Sequence, residues 1–213
     1  MQKIQLLPGM AAAYPVYAKL KELVEISEVP FLDPEPNERL VDYSRRMATR
    51  FDADSFIGGI SFGGIVAQEV ARLLRPRGCI VIASVREADE LPLRLRIWRP
   101  LGQQRIERLL GSLAAGAGVV GRMVRSRFAL RLTRTLSSEW HRWATASVIG
   151  WRPTSRLDVP TLHLQGDSDA TFPLRNVRPD VVIPGGKHAL PVSNPAEVAA
   201  AIAQFVEQHS ACT

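Results

Sequence analysis

Short apolar runs of four to six residues alternate along most of this chain with stretches of helical periodicity. That rhythm restricts it to folds built from βα units. Strands are predicted at Lys3–Leu7, Val24–Val29, Ser55–Ile60, Cys79–Ser84, Thr161–Gln165 and Asp180–Ile183. Helical spacing falls between them, over Tyr14–Leu23, from Glu38 to about Arg50 with Asn37 as its cap, and over Phe62–Leu74 before the breakers Pro76 and Gly78. A last helix should open at Asn194-Pro195 and run to about Gln208. Cys79–Ser84 is apolar throughout, as a strand covered on both faces must be. Six strands joined by crossover helices imply an α/β fold with a doubly wound, all-parallel sheet.

The rhythm stops for about 70 residues between the fourth and fifth strands. Residues 86–151 read as several helices without a strand, which makes them an insertion into a core formed by 1–85 and 152–213. The charge is concentrated there. From Arg86 to Arg156 there are 14 arginines, no lysine and five acids, a surplus of nine positive charges. The whole chain carries +6, so the remainder is mildly acidic. Within the insertion the arginines alternate with Leu91, Leu93, Leu95, Ile97, Trp98 and Leu101, an amphipathic pattern. Either the arginine face is simply solvated, or it recognises anionic or membrane-associated substrates. No nucleic-acid reader motif is present, so nucleic acid is not an expected partner. Gly111–Gly121, rich in small residues, fits either a hinge or a close helix–helix contact.

At 213 residues the chain is long enough for one domain with a real core. Its two cysteines, Cys79 and Cys212, form neither a disulfide framework nor a zinc-finger spacing. With no signal-peptide pattern at the N-terminus and no run of about 18 apolar residues, a soluble cytoplasmic protein is expected.

The chemistry concentrates in three places. Gly59-Ile60-Ser61-Phe62-Gly63 lies between a predicted strand and a predicted helix, where a sharp turn lifts a serine above the carboxyl end of the sheet. The glycines leave room for backbone to pass closely, and the helix supplies free N–H groups. After the fifth strand comes Gly166-Asp167-Ser168-Asp169. After the sixth comes Gly185-Gly186-Lys187-His188. A serine hydroxyl needs a base, and the base needs an orienting acid. Ser61, one of the two aspartates and His188 can therefore converge on one sheet edge. No His/Cys/Asp/Glu grouping has metal-ligand spacing, and no P-loop or GxGxxG is present, so neither metal nor nucleotide cofactor is expected.

With these motifs, GISFGG, GDSDATFP and PGGKHALPVSNPAEVAAAIAQF, nearly the whole chain resembles the α/β-hydrolase superfamily of serine hydrolases. The resemblance implies Ser61 as nucleophile, His188 as general base and Asp169, three residues after its glycine, as the acid. Asp167 is the alternative acid, better suited to bonding local amides. It further implies an oxyanion hole from the backbone amides of Phe62 and Met10, with Ala11 as alternative to Met10. The two antiparallel strands that usually precede the first strand of the pattern are missing, and Pro8-Gly9 stands where His-Gly is common. The expected substrate is a small acyl compound, an ester or thioester, anionic and lipid-like substrates included. Acyl transfer, a membrane-associated lipase and a non-catalytic ligand-binding module remain open. His163 is expected to be structural, and His141 either lines a pocket or lies on a helix surface. His209, near the C-terminus, carries no functional signal.

Overall fold

The first five apolar runs build strands that pair side by side with a sixth into one parallel sheet, ordered β2-β1-β3-β4-β5-β6. The computed structural model describes residues 3–10, 15–124 and 138–210, with residues 115–124 described as helical backbone alone. The strands are β1 (Ile4–Leu7), β2 (Ser27–Glu28), β3 (Phe56–Ile60), β4 (Gly78–Ile82), β5 (Thr161–Gly166) and β6 (Val181–Ile183). The helices are α1 (Ala18–Lys21), α2 (Leu40–Ala48), α3 (Phe62–Leu74), α4 (Leu93–Arg96), α5 (Gln103–Val124), α6 (Glu139–Gly150), α7 (Leu190–Ser193) and α8 (Pro195–Ser210). Cys212 and Ala11 lie outside the described residues.

The contacts divide the chain into two compact units, 1–32 with 40–92 and 152–213, and 33–39 with 93–151. In the first, alternation along the strands sorts side chains between two faces. Ile4, Leu6, Phe56, Ile60, Ile80, Ile82, Leu162 and Leu164 join Tyr17 and Leu20 near α1 and Val198, Ile202 and Phe205 of α8 in a single core. Gln5, Ile57, Gly59, Cys79, Val81, His163 and Gln165 alternate with them and belong to the opposite face, the α3 side. The chain winds one way from β1 to β2 and the other way from β3 onward. The switch point therefore lies between the carboxyl ends of β1 and β3, where ligands bind in open α/β sheets.

Several expected boundaries move, for local reasons. β2 is two residues long, because Val24 N–H still bonds to Leu20 O in the turn after α1. α2 begins at Leu40, and Asn37 instead takes φ 61° in the preceding turn. α3 closes on Arg75, at φ 50°, which donates to Ala71 O, so a left-handed arginine rather than Pro76 or Gly78 ends it. Gly78 opens β4, where a Cβ would press on the Phe56 and Phe205 rings at 2.9 Å. Between β5 and β6 the crossover carries only a 3₁₀ turn, Leu174–Asn176. The side chains of Asp169 and Gln165 hold Thr171 and Phe172 there, leaving too little chain for a helix. Asn194 does sit before Pro195 and reaches Glu197 Oε1 at 3.3 Å.

The turn from Arg86 to Glu90, expected to open the insertion, is tied to the first unit. Glu90 carboxylate oxygens accept from the amides of Arg86 (2.6 Å) and Arg178 (3.2 Å). The second unit is helical among its described residues, with a small core of Ile106, Ala146 and Ile149 against Leu95, Leu101 and Leu110. Glu38 O accepts from both Trp143 Nε1 (2.8 Å) and Gln103 Nε2 (3.0 Å). α5 runs unbroken through the glycine-rich stretch, and Gly111 lies against the Arg142 side chain of α6. At Gly111 that is the helix–helix contact rather than the hinge.

Candidate active site

Ser61 ends β3 and begins the turn into α3 at φ 55° and ψ −121°, a conformation costly for any residue with a Cβ. The surroundings hold it there. Its N–H bonds to Ile82 O at 2.9 Å, and its carbonyl accepts from Gly64 N–H at 3.0 Å and Ser84 Oγ at 2.7 Å. Two glycines permit the turn. A Cβ on Gly59 would lie 2.5 Å from Gly63 carbonyl carbon, and one on Gly63 would meet Leu7 O at 2.6 Å and collide with Pro8 O. The β1 loop thus crosses directly over the elbow. A Cβ on Gly9 would stand 3.6 Å from Ser61 Cβ, and Met10 follows immediately. Phe62 is the first residue of α3 and stacks at 5.4 Å on Phe31.

The loops after β5 and β6 meet through backbone. Ser168 N–H donates to Gly186 O at 3.0 Å, and a Cβ on Gly166 would collide with that same carbonyl. Asp167 accepts from Gly185 N–H and Ser168 Oγ, both at 2.9 Å. It locks the two loops together and does not reach the histidine. Asp169 does: its Oδ2 accepts from His188 Nδ1 at 2.8 Å, and the Ser61 hydroxyl donates to His188 Nε2 at 2.9 Å. Of the two aspartates, the structure joins Asp169 to Ser61 and His188.

Asp169 is 3% exposed and its Oδ1 accepts from the Thr171 and Phe172 amides at 2.7 and 3.0 Å. Burial alone would raise its pKa. The His188 hydrogen bond and charge, with the two amides, outweigh that and hold it below the ordinary carboxylate value. It is therefore ionised and acceptor-only, which fixes the proton on His188 Nδ1 and leaves Nε2 to accept from Ser61. The Phe172 ring meets the imidazole edge-on at 5.6 Å.

Three residues not singled out from sequence frame this row: Ser84, Gln165 and Phe172. Ser84 stands just beyond β4, and Gln165 on β5 donates from Nε2 to Asp169 Oδ2 at 2.9 Å. The one available signal was a polar side chain at the carboxyl end of an otherwise apolar strand. His163 is structural, as expected. It is fully buried, and its Nε2 bonds to Ser84 O at 3.1 Å. Burial, assisted by the Arg86 charge, pushes it down to about 4. His141 belongs to α6, with its ring edge-on to Trp140 at 5.3 Å. His209 bonds to Phe205 O at 2.8 Å within α8. Among the described residues no group of three or more His, Cys, Asp or Glu side chains is arranged to hold a metal ion. Among them no helix is long and apolar enough to cross a membrane.

A strained serine at a strand–helix elbow, with an acid and a histidine from the loops after β5 and β6, defines the α/β-hydrolase class. The sequence pattern of the Alpha/beta hydrolase family matches residues 7–201, and the chain belongs to that family. No curated protein sequence matches it significantly. Solved structures share the fold at low identity. A thermophilic esterase from Thermogutta terrifontis, in a malate-bound structure, is 20% identical over 98% of this chain and 90% of its own, with a TM-score of 0.58. The RedJ thioesterase of the prodiginine biosynthetic pathway in Streptomyces coelicolor is 20% identical over 97% and 90%, with a TM-score of 0.54. The NocB thioesterase domain, in a covalent complex with a fluorophosphonate nocardicin G analogue, is 16% identical over 97% and 95%, with a TM-score of 0.61.

Proposed function

We propose that this protein is a serine hydrolase that cleaves carboxylic esters or thioesters through an acyl-enzyme. The observation that carries the reading is the unbroken row Ser61 Oγ–His188–Asp169, with hydrogen bonds of 2.9 and 2.8 Å. Ser61 attacks the acyl carbon as His188 Nε2 takes its proton. Asp169 holds the ring and stabilises the imidazolium. The amides of Met10 and Phe62 take the tetrahedral oxyanion, an interaction worth about 3 kcal/mol per donor. His188 returns the proton to the departing alcohol or thiol, leaving the acyl group on Ser61. Water then attacks with His188 as base, releasing the acid and restoring the serine.

The esterase and thioesterases of the same fold support this substrate class. We read the helical segment 93–151 as the family's cap insertion. The test is hydrolysis of p-nitrophenyl esters and acyl thioesters of increasing chain length, with and without added alcohol or amine acceptors. Turnover in the wild type that falls at least about 10³-fold in Ser61→Ala and His188→Ala supports the reading. Faster product formation with acceptors would make it an acyltransferase. A folded protein inert towards the whole panel would contradict it.

A further inference from the structure

We infer that Gln165 is a positioning residue that sets the orientation of Asp169. The inference rests on the reading of Ser61, His188 and Asp169 given above. Gln165 is fully buried on β5, four residues before Asp169. Both hydrogens of its Nε2 are used on acceptors, Asp169 Oδ2 at 2.9 Å and Phe172 O at 2.8 Å. The first is the oxygen that also accepts from His188 Nδ1. The second belongs to the loop residue whose amide bonds the other Asp169 oxygen. Gln165 therefore clamps the carboxylate and the loop that carries it with one amide group.

The amide cannot turn over. A flipped side chain would set Oε1 against two oxygens that only accept. As placed, Oε1 is buried and makes no well-formed hydrogen bond, with the His163 side chain beside the amide. A core-filling residue would be Leu or Met and leave no orphaned carbonyl. The glutamine accepts that penalty in order to donate to Asp169.

Two effects follow. The carboxylate keeps its hydrogen bond to His188 Nδ1, so the imidazole stays aligned with Ser61. The amide also disperses negative charge on Oδ2, which limits how strongly Asp169 holds a proton on the histidine. The titratable groups that bear on this cluster are His188 from the loop after β6 and His163 from β5, the latter also facing Gln165, Arg86 and Asp180. His163, at about 4, protonates only in acidic solution.

The experiment compares wild type, Gln165→Leu and Gln165→Glu, each alone and in an Asp169→Asn background. It reads thermal stability, the rate of fluorophosphonate labelling and the pH profile of kcat/KM on a p-nitrophenyl ester. Gln165→Leu should lower kcat about 10- to 100-fold with little change in KM. In Gln165→Glu the buried carboxyl, set between two acceptors and beside the ionised Asp169, stays protonated and donates in the amide's place, so kcat should return to within about threefold of wild type with the acid limb of the profile unmoved. In the Asp169→Asn background Gln165→Leu should cost less than about threefold, since the residue it positions no longer carries charge. Equal losses in both backgrounds, or a Gln165→Glu protein as slow as Gln165→Leu, would overturn the assignment. So would failure of both variants to fold, which would make Gln165 purely structural. Wild-type protein that neither labels nor turns over would overturn the hydrolase reading itself. Labelling at Ser61 that is indifferent to Gln165 would overturn this inference alone.

Discussion

Ser84 Oγ donates to the carbonyl of Ser61 at 2.7 Å, across 23 residues of chain, and both side chains are buried. The bond anchors a backbone that holds φ 55° at a residue with a Cβ. The Ser84 carbonyl in turn accepts from His163, so β3, β4 and β5 are fastened together just behind the nucleophile. Ser84→Ala removes the first bond and leaves the second. It should cost about 1–2 kcal/mol in urea denaturation with the m-value unchanged. The labelling rate should fall as well, since a relaxed elbow no longer aims Ser61 at His188. A variant as stable as wild type would show that the elbow holds its shape without this bond.

Gly63 and Gly9 should separate stability from activity. A Cβ at Gly63 collides with main-chain oxygens of Leu7 and Pro8, which cannot move without dragging β1. Gly63→Ala should destabilise by about 3 kcal/mol or prevent folding, seen as a lowered Tm or insoluble protein. At Gly9 a Cβ meets its nearest atom, Ser61 Cβ, at 3.6 Å, ordinary contact. Gly9→Ala should keep Tm within a few degrees. It should still lower kcat/KM, because the methyl group stands where an acyl carbon must approach Ser61.

The fold was legible in sequence wherever one face pattern decided the matter. β3, α3 and β4 follow directly from apolar alternation, a strand–turn–helix motif and a continuous apolar run. Ser61 and His188 were legible because a glycine-rich turn announces each one. The preference for Asp169 over Asp167 came from the family resemblance, and the structure gives Asp167 a place of its own: it staples the two loops that Asp169 and His188 occupy. The roles of Gln165 and Ser84, and the partner of His163, were opaque. Their partners are 4, 23 and 79 residues away, and a polar residue in a half-buried strand reads as solvent-facing until the opposite strand is placed. The short β2 was likewise invisible, because the turn after α1 takes up Val24 through a backbone bond to Leu20.

Two groups give the stability a defined pH dependence. Burial lowers His163, so the folded state resists its protonation while the unfolded chain takes up the proton near 6.5. Stability should therefore be full above about pH 6.5 and fall as pH drops towards 4, by at most about 1.4 kcal/mol per pH unit. Asp169 is also depressed. Its contribution is present above the unfolded value of 3.8 and is lost only as pH falls further, through its lower folded-state value. Denaturation across pH 7 to 4 should show the slope in wild type and a flatter line in His163→Gln. Identical slopes would assign the effect to other groups.

Arg72 and Glu69 form a buried pair on α3 at 3.1 Å, with side chains 5% and 3% exposed. Arg72 Nε also bonds to Ser155 O at 2.6 Å and Thr154 Oγ1 to Glu69 at 2.9 Å, which ties the segment entering β5 to α3. Arg72→Met strands a buried carboxylate and should cost about 3–5 kcal/mol. The double variant Arg72→Met/Glu69→Leu should recover a large part of that loss in chemical denaturation. Purely additive losses would mean the two charges do not depend on each other.

The central claim is an activated serine at position 61. Folded wild-type protein should be treated with a fluorophosphonate probe, alongside Ser61→Ala and His188→Ala, and the adduct mapped by mass spectrometry. One covalent adduct on Ser61 in wild type, absent from Ser61→Ala and at least about 10³-fold slower in His188→Ala, is the predicted result. An adduct on another residue, or equal labelling in the Ser61→Ala protein, would contradict it.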